Sequence, residues 1–353
     1  LIQQQEKEMT RYLIRRVLQA IPTFLGITVI TFIIIKLAPG DPVAQMTFDP
    51  KIKAETREKM RHQLGLDRPI AVQYVIWLTG NDWLRWFGEE IEDKYITRGV
   101  LRLDFGRSYI EKRPATKMIM ERVPATVTLN IAALLISYLI GLPVGVYSAV
   151  KQNGTFDNFS RVMAVIFNAV PSFWLSLMVL LIFAVKFKQW GLPHIAMGGM
   201  RTITPTGGNK FDLFDRLRHL LPPAFVLATG GIAGISRYMR TEVLEVIHQD
   251  YVRTARAKGL SERMVNFVHA GRNALIPIAT MLGPQITGLL GGAVITETIW
   301  SWPGLGRMFI EANFKRDYPV VLAGFVIGSI AVILGNMVSD VLYAAFDPRI
   351  RLH

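Results

Sequence analysis

The sequence predicts an all-α membrane protein with six transmembrane helices and an extended extracytoplasmic segment between the first and second. Three observations carry this. Six mainly apolar windows, 18–37, 125–150, 162–185, 220–236, 274–295 and 319–339, meet or approach the ~20 residues that cross a hydrocarbon core. Five hold no Asp, Glu, Lys or Arg, and the first holds only Lys36, close enough to its end to snorkel. The remaining stretches are dense in charge: 353 residues carry a net +13, yet mean hydropathy is +0.30, so the two kinds of sequence are segregated.

The flanks orient the spans. With the N-terminus inside, Lys7, Arg11, Arg15 and Arg16, then Lys151 and Arg161, then the run from Arg237 to Arg272, and finally Arg349 and Arg351 face the cytosol. They outnumber the cations of the short outer loops, so both termini are expected to be cytosolic. The chain divides into a cytosolic 1–17, a span at 18–37, an extracytoplasmic 38–123, a five-span core at 124–346 and a cytosolic 347–353. Met9-Thr10-Arg11-Tyr12 reads as a natural start after a polar 1–8. The first apolar run is long and lacks a small-residue cleavage site, so it is read as a span and not a cleavable signal. An isoelectric point near 10.0 first suggests nucleic acid, but the uncharged windows favour basic cytosolic edges of a membrane protein, with no nucleic-acid partner. Cys is absent, which removes thiolate catalysis, iron–sulfur clusters and Cys-based zinc sites.

In the outer segment, Pro39-Gly40-Asp41-Pro42 cannot continue the first helix. Residues 51–66 read as a polar helix ended by Gly65. Val72, Val75, Ile76 and Leu78 give a short apolar face before a turn at Gly80-Asn81-Asp82. Glu89, Glu90, Glu92 and Asp93 form an acidic cluster without a nearby His or calcium-loop spacing. A solvated insertion loop is expected there, and no metal site.

Residues 237–273 are too polar for the membrane and too long for a simple turn. Val243, Leu244, Val246 and Ile247 carry helical spacing out of the fourth window. Tyr251, Ala255 and Lys258 fall on one face of a second helix, Gly259 caps it, and Ser261 can start the next. The pattern predicts a helix–Gly–helix elbow at the membrane surface, with small residues Thr254, Ala255 and Ala257 able to sit in a partner's groove. A basic loop touching anionic headgroups is the alternative.

No Walker loop, G-x-S-x-G elbow or H-E-x-x-H occurs, and the six His lie outside the windows. No catalytic residue and no metal ligand is assigned. Asn130, Asn168, Ser172, Gln285, Thr287 and Asn336 are the candidate pathway-lining side chains, against the alternative of interhelical hydrogen bonding. Pro171 beside Asn168 and Ser172 predicts a kink, and Asp340 is expected to pair with Arg237 or Arg240. Gly141/Gly145, Gly230/Gly234, Gly288/Gly292 and Gly324/Gly328 predict close helix contacts, within the chain or across a dimer.

Over essentially its whole length the chain resembles the permease subunits of the oligopeptide/dipeptide/nickel class of ABC importers, specifically the first of their two permease types. The matching residues run from Arg11-Tyr12-Leu13-Ile14-Arg15-Arg16 to Pro39-Gly40-Asp41-Pro42, and through Asp104-Phe105-Gly106-Arg107-Ser108. They continue at Asp250-Tyr251-Val252-Arg253-Thr254-Ala255-Arg256-Ala257-Lys258-Gly259-Leu260 and at Glu297-Thr298 with Trp302-Pro303-Gly304-Leu305-Gly306-Arg307. Arg316-Asp317-Tyr318-Pro319 and Asp347-Pro348-Arg349-Ile350-Arg351 close the match. Where ABC importers generally place Glu-Ala-Ala, this chain has Arg253, Thr254 and Ala255, and 75–98 is longer than usual.

The resemblance implies a type I ABC importer permease fold in a prokaryotic inner membrane, non-catalytic, with no cofactor of its own. ATP and Mg would sit on two cytosolic ATPase subunits. A second homologous permease and an extracytoplasmic binding protein would complete the assembly. Tyr251, Arg253, Thr254, Ala255, Lys258 and Gly259 would dock on an ATPase, so Gly259→Pro or Ala255→Arg is expected to uncouple transport. Glu297, Trp302, Pro303, Gly304, Gly306 and Arg307 would reach toward the binding protein. Short peptides are the expected cargo, with oligosaccharide or nickel as alternatives in the class and an ion-coupled secondary carrier as the rival outside it.

Overall fold

In the computed structural model the described residues are 2–37, 43, 54–202, 212–289 and 291–346. Among them there is no β-strand, only a single antiparallel bridge between Arg107 and Pro114. Among the described residues five helices, and not the expected six, are long and apolar enough to cross a membrane: Ile14–Leu37, Ala115–Val150, Ser172–Gln189, Leu213–Val246 and Tyr318–Asp340; the helix of the fifth window, Gly271–Gly288, is not one of them. The described residues form two compact units, one of Leu1–Pro124 with Met308–Leu334 and one of Ala125–Arg307 with Gly335–His353. The Pro39–Pro42 and Asp347–Arg351 motifs lie outside the described residues.

The first unit is built on α1 (Ile2–Leu37), α2 (Ala54–Gln63) and α3 (Ile70–Thr79). Phe32 of α1 meets Tyr74 and Trp77 of α3 at ring-centroid distances of 5.5 and 5.4 Å, and Thr28 Oγ1 hydrogen-bonds the Tyr74 hydroxyl at 2.9 Å. The expected turn follows α3. Gly80 has φ +97°, and a Cβ there would lie 2.6 Å from the Thr97 carbonyl, so only glycine fits. Asn81 anchors the returning strand of chain: its Nδ2 donates to Tyr95 O at 2.9 Å and its Oδ1 accepts from Thr97 N at 2.7 Å.

The acidic insertion is solvated, with Glu90, Glu92 and Asp93 exposed, and is also tied to the rest of the unit. Glu89 pairs with Arg68, Asp93 pairs with Arg85 at 2.6 Å, and Gln63 brackets the segment by donating to Glu90 O and accepting from Glu92 N. Ile76, Leu84 and Ile91 then close a small core beneath it.

In the second unit, α4 (Ala115–Val150) crosses α7 (Leu213–Val246) at the first glycine pair. A Cβ on Gly141 would lie 2.9 Å from Ile235 Cβ, and one on Gly145 would lie 2.6 Å from both Met239 Cβ and Ser236 O. Gly230, Gly234 and Gly288 have no atom within that reach. Val146, Ala149, Met239, Val243, Ala274 and Ile278 fill the core at this end. The helical prolines Pro222 and Pro223 sit about two and a half turns inside α7, whose start is capped by Asp212 accepting from Phe214 N at 2.9 Å.

The third window is not one continuous helix. α5 (Thr155–Ala169) stops at Val170, which is extended at φ −77°, ψ 121°, because the Pro171 ring disfavours helical geometry in the residue before it. α6 (Ser172–Val179) restarts there and continues through wider π turns at Leu180–Lys186. The fifth window likewise ends early. Its helix closes at Gly288, and the short α10 (Val294–Ile299) follows after Gly292 at φ +75°.

Candidate functional site

The elbow forms as its residue types require. Between α7 and the next apolar helix lies α8 (Asp250–Ala257), which buries Val252 and Ala255 against Val265 and Ala270, with Val246 and Ile247 alongside. Gly259 supplies the left-handed turn at φ +78°: its N–H donates to Arg256 O at 2.9 Å and Leu260 N–H to Ala255 O at 3.4 Å, ending the helix. Ser261 starts the following turn, its Oγ accepting from Met264 N at 3.4 Å. The π-wound Met264–Ala270 then feeds α9 (Gly271–Gly288). Arg256 braces the bend by donating to Glu262 at 3.1 Å, while Asn266 Nδ2 donates to the other Glu262 oxygen at 3.2 Å. Tyr251, Arg253, Thr254, Ala257, Lys258 and Gly259 remain exposed. Ala255 therefore belongs to the inner face, at 7% exposure, and not to the docking face the sequence spacing predicts.

Near the C-terminal end of α7, Arg240 donates from Nε to Asp157 Oδ1 at 2.7 Å and from Nη2 to Oδ2 at 2.8 Å. Asp157 is fully buried on α5 and also accepts from Ser148 Oγ at 2.5 Å and Asn153 N at 2.9 Å. The Arg240 guanidinium, then the Ser148 and Asn153 donors, hold this carboxyl well below the usual carboxylate range against the cost of burial. Arg240, one of the two arginines expected to pair with Asp340, is thus committed to Asp157. The fork thus ties the end of α7 that leads into the elbow to the start of α5.

The 293–307 segment is an internal clasp. Thr126 Oγ1 donates to Glu297 Oε1 at 2.8 Å and accepts from Leu305 N at 2.7 Å; Arg307 N donates to Glu297 Oε2 at 3.0 Å. Trp302 Nε1 donates to Ala125 O at 2.9 Å. Glu297 is fully buried, Trp302 is 1% exposed, and Gly304 and Gly306 are also buried. A Cβ on Gly304 would strike the Glu297 carboxyl, so glycine is required where the loop crosses it. Pro303 and Arg307 are half-buried, and Ser301 at φ +48° is the outward tip. These side chains build the loop instead of presenting it.

The profile of the family described as "Binding-protein-dependent transport system inner membrane component" matches residues 141–352, and that of its N-terminal counterpart matches 9–130. The chain belongs to this family. This inner membrane component is 40% identical over 343 residues to the oligopeptide transport system permease protein AppB of Bacillus subtilis, covering 97% of this chain and 99% of that one. It is 36% identical over 358 residues to the dipeptide transport system permease protein DppB of Escherichia coli K12, with the same coverage. A solved structure of the MetNI methionine ABC transporter in inward facing form aligns at a TM-score of 0.49 and 17% identity, over 65% of this chain and 97% of that one.

The polar candidates in the spans of this component separate in the structure. Asn130 is a helix clamp: its Nδ2 donates to Leu289 O at 2.7 Å, satisfying a carbonyl at the end of α9. Asn168 and Ser172 flank the Pro171 break and are exposed, as is Asn336 on α11 (Tyr318–Phe346). Gln285 is half-buried on α9, and the Thr287 side chain lies outside the described residues. Sequence reasoning missed Asp157 and Thr126. Asp157 sits in a polar stretch, Asn153 to Arg161, that hides its burial, and nothing local marks Thr126, whose partner lies 171 positions away.

Proposed function

We propose that this chain is the non-catalytic permease subunit of an ATP-driven importer of short peptides, forming half of the translocation pathway. The carrying observation is the elbow: a braced helix with its apolar side buried inward and a continuous exposed face, in a chain similar along its length to permeases named for oligopeptides and dipeptides. A membrane helix that runs unbroken from the Gly141/Gly145 crossing through Arg240 to the elbow is a lever. Displacing the elbow must move α7, and the buried Arg240–Asp157 fork carries that movement to α5. In this reading both termini and the elbow face the cytosol of a prokaryote. Two ATPase subunits bind ATP and Mg and close on the elbow, a second permease completes the pathway, and an extracytoplasmic binding protein delivers cargo.

The clasp gives the 293–307 loop a stiff backbone on which the exposed Ser301 tip faces the binding protein. Glu297 is spent on hydrogen bonds inside that clasp, which argues against its service as an ion-coupling carboxylate. The test is reconstitution of the four membrane and ATPase subunits in proteoliposomes with the binding protein and labelled di- and tripeptides. Uptake that requires ATP and the binding protein supports the reading. Uptake by this chain alone under an ion gradient, or ATP-driven uptake of oligosaccharide or nickel without peptide, overturns it.

A further inference from the structure

We propose that the first unit binds one phosphoglyceride of the surrounding membrane, its acyl chain in a cavity beside α1 and its phosphate between Lys36, Arg107 and Lys112. The cavity measures about 610 Å³ and is lined on its apolar side by Phe32, Ile35, Trp77 and Leu322. Phe32 and Ile35 belong to the last turns of the 24-residue apolar stretch of α1, so the cavity opens at the boundary between hydrocarbon and headgroups. Trp77 and Tyr318 at its wall are the residue types that favour that depth.

Its polar end is cationic. Lys36 closes the apolar stretch of α1, and the exposed Arg107 and Lys112 stand on the 104–114 loop; none of the three has a carboxylate partner among the described residues. Among the described residues the one carboxylate in the lining, Asp104, already accepts from Arg98 N at 2.8 Å and from Gly106 N at 3.0 Å. Gln73 Oε1, Trp77 Nε1 and the Tyr318 hydroxyl are enclosed and have no hydrogen-bond partner among the described residues, which buried polar atoms rarely tolerate. A glycerol-ester and phosphate end group satisfies two donors and three cations at once. A zwitterionic peptide fits less well, because its ammonium would find no free carboxylate. The inference rests on α1 spanning the membrane and not on what is transported.

The test uses the complete transporter complex in mild detergent, delipidated and titrated with phosphatidylglycerol while lipid occupancy is read by native mass spectrometry. Each cation near an anionic headgroup contributes about fivefold in affinity, so Arg107→Gln with Lys112→Gln should weaken binding ~25-fold. Both residues are exposed at the mouth, so assembly should be unchanged; Arg85→Gln, outside the cavity and paired with Asp93, should leave lipid binding unaltered. Trp77→Phe, which removes the enclosed N–H together with part of the ring that lines the cavity, should weaken it severalfold. Equal occupancy in all variants overturns the proposal. So does displacement of the lipid by equimolar inorganic phosphate, or saturable binding of a labelled dipeptide that the Arg107/Lys112 change abolishes.

Discussion

Arg240 and Asp157 form a two-pronged ion pair, 2.7 and 2.8 Å, between helices 83 positions apart in sequence, with the carboxylate fully buried. Removing one partner leaves an uncompensated buried charge and should cost about 3–5 kcal/mol, whereas replacing both by apolar residues of similar volume should recover most of it. Thermal unfolding of the purified complex carrying Arg240→Met, Asp157→Leu and the double variant checks this. Because the folded-state pKa of Asp157 is depressed, its contribution is complete above the ordinary carboxylate value and is lost as pH falls below that value through the depressed one. Physiological pH should leave it intact.

Glu297→Gln tests the clasp. The two carboxyl oxygens accept from Thr126 Oγ1 and Arg307 N, and an amide can accept at only one of these positions, setting a donor against a donor at the other. The expected loss is about 1–3 kcal/mol. Gly304→Ala should be at least as damaging, since its methyl would strike the same carboxyl. If Glu297 instead coupled transport to an ion, Glu297→Gln would keep the melting temperature and change the ion dependence.

These two sites mark where the sequence was and was not legible. Long uncharged runs announce membrane helices because length and apolarity are local properties, and the Gly259 cap and Ser261 start were legible for the same reason. The break at Val170–Pro171 was visible as a kink, but whether a proline bends a helix or ends it depends on what receives the freed carbonyls. The resemblance points the 293–307 motif toward the binding protein; the burial of Glu297 depends on Thr126, far off in the chain. Ala255 was placed on the docking face by i, i+4 spacing, when the apolar partner across the bend, Val265, decides which side is buried.

Asp317 carries the opposite pH sign to Asp157. Burial pushes its carboxyl above the ordinary range, opposed by hydrogen bonds from Ser108 and from Tyr109 N at 2.8 Å. The folded state thus holds this proton more tightly than the unfolded chain, and stability falls as pH rises from the ordinary carboxylate value through the raised one, then levels. The difference between wild-type and Asp317→Asn melting curves across mildly acidic pH should show that slope. Asp317→Ala should cost about 1–3 kcal/mol at every pH, since it strands the Ser108 and Tyr109 donors.

The glycine pairs predict a separation of folding from assembly. Gly145→Ala should destabilise the chain, because its methyl would lie 2.6 Å from Met239 and from the Ser236 carbonyl. At Gly230 and Gly234 an added Cβ meets no atom within 4 Å among the described residues, so Gly230→Leu and Gly234→Leu should leave the chain folded. If that open face packs on the second permease, the same two variants should lower recovery of the heterodimer in pull-downs; full recovery would assign the face to lipid.

The most direct test of the account is site-specific photo-cross-linking from the elbow in native membranes, with the probe at Thr254 on the exposed face and at Val252 on the buried one. The account predicts that Thr254 captures an ATPase subunit carrying a Walker motif, with a yield that changes when ATP is added, and that Val252 captures none. It further predicts that Thr254→Arg abolishes ATP-driven uptake while the chain still inserts. A folded chain whose Thr254 probe captures no ATPase, purified as a homo-oligomer with neither ATPase nor second permease, would contradict it.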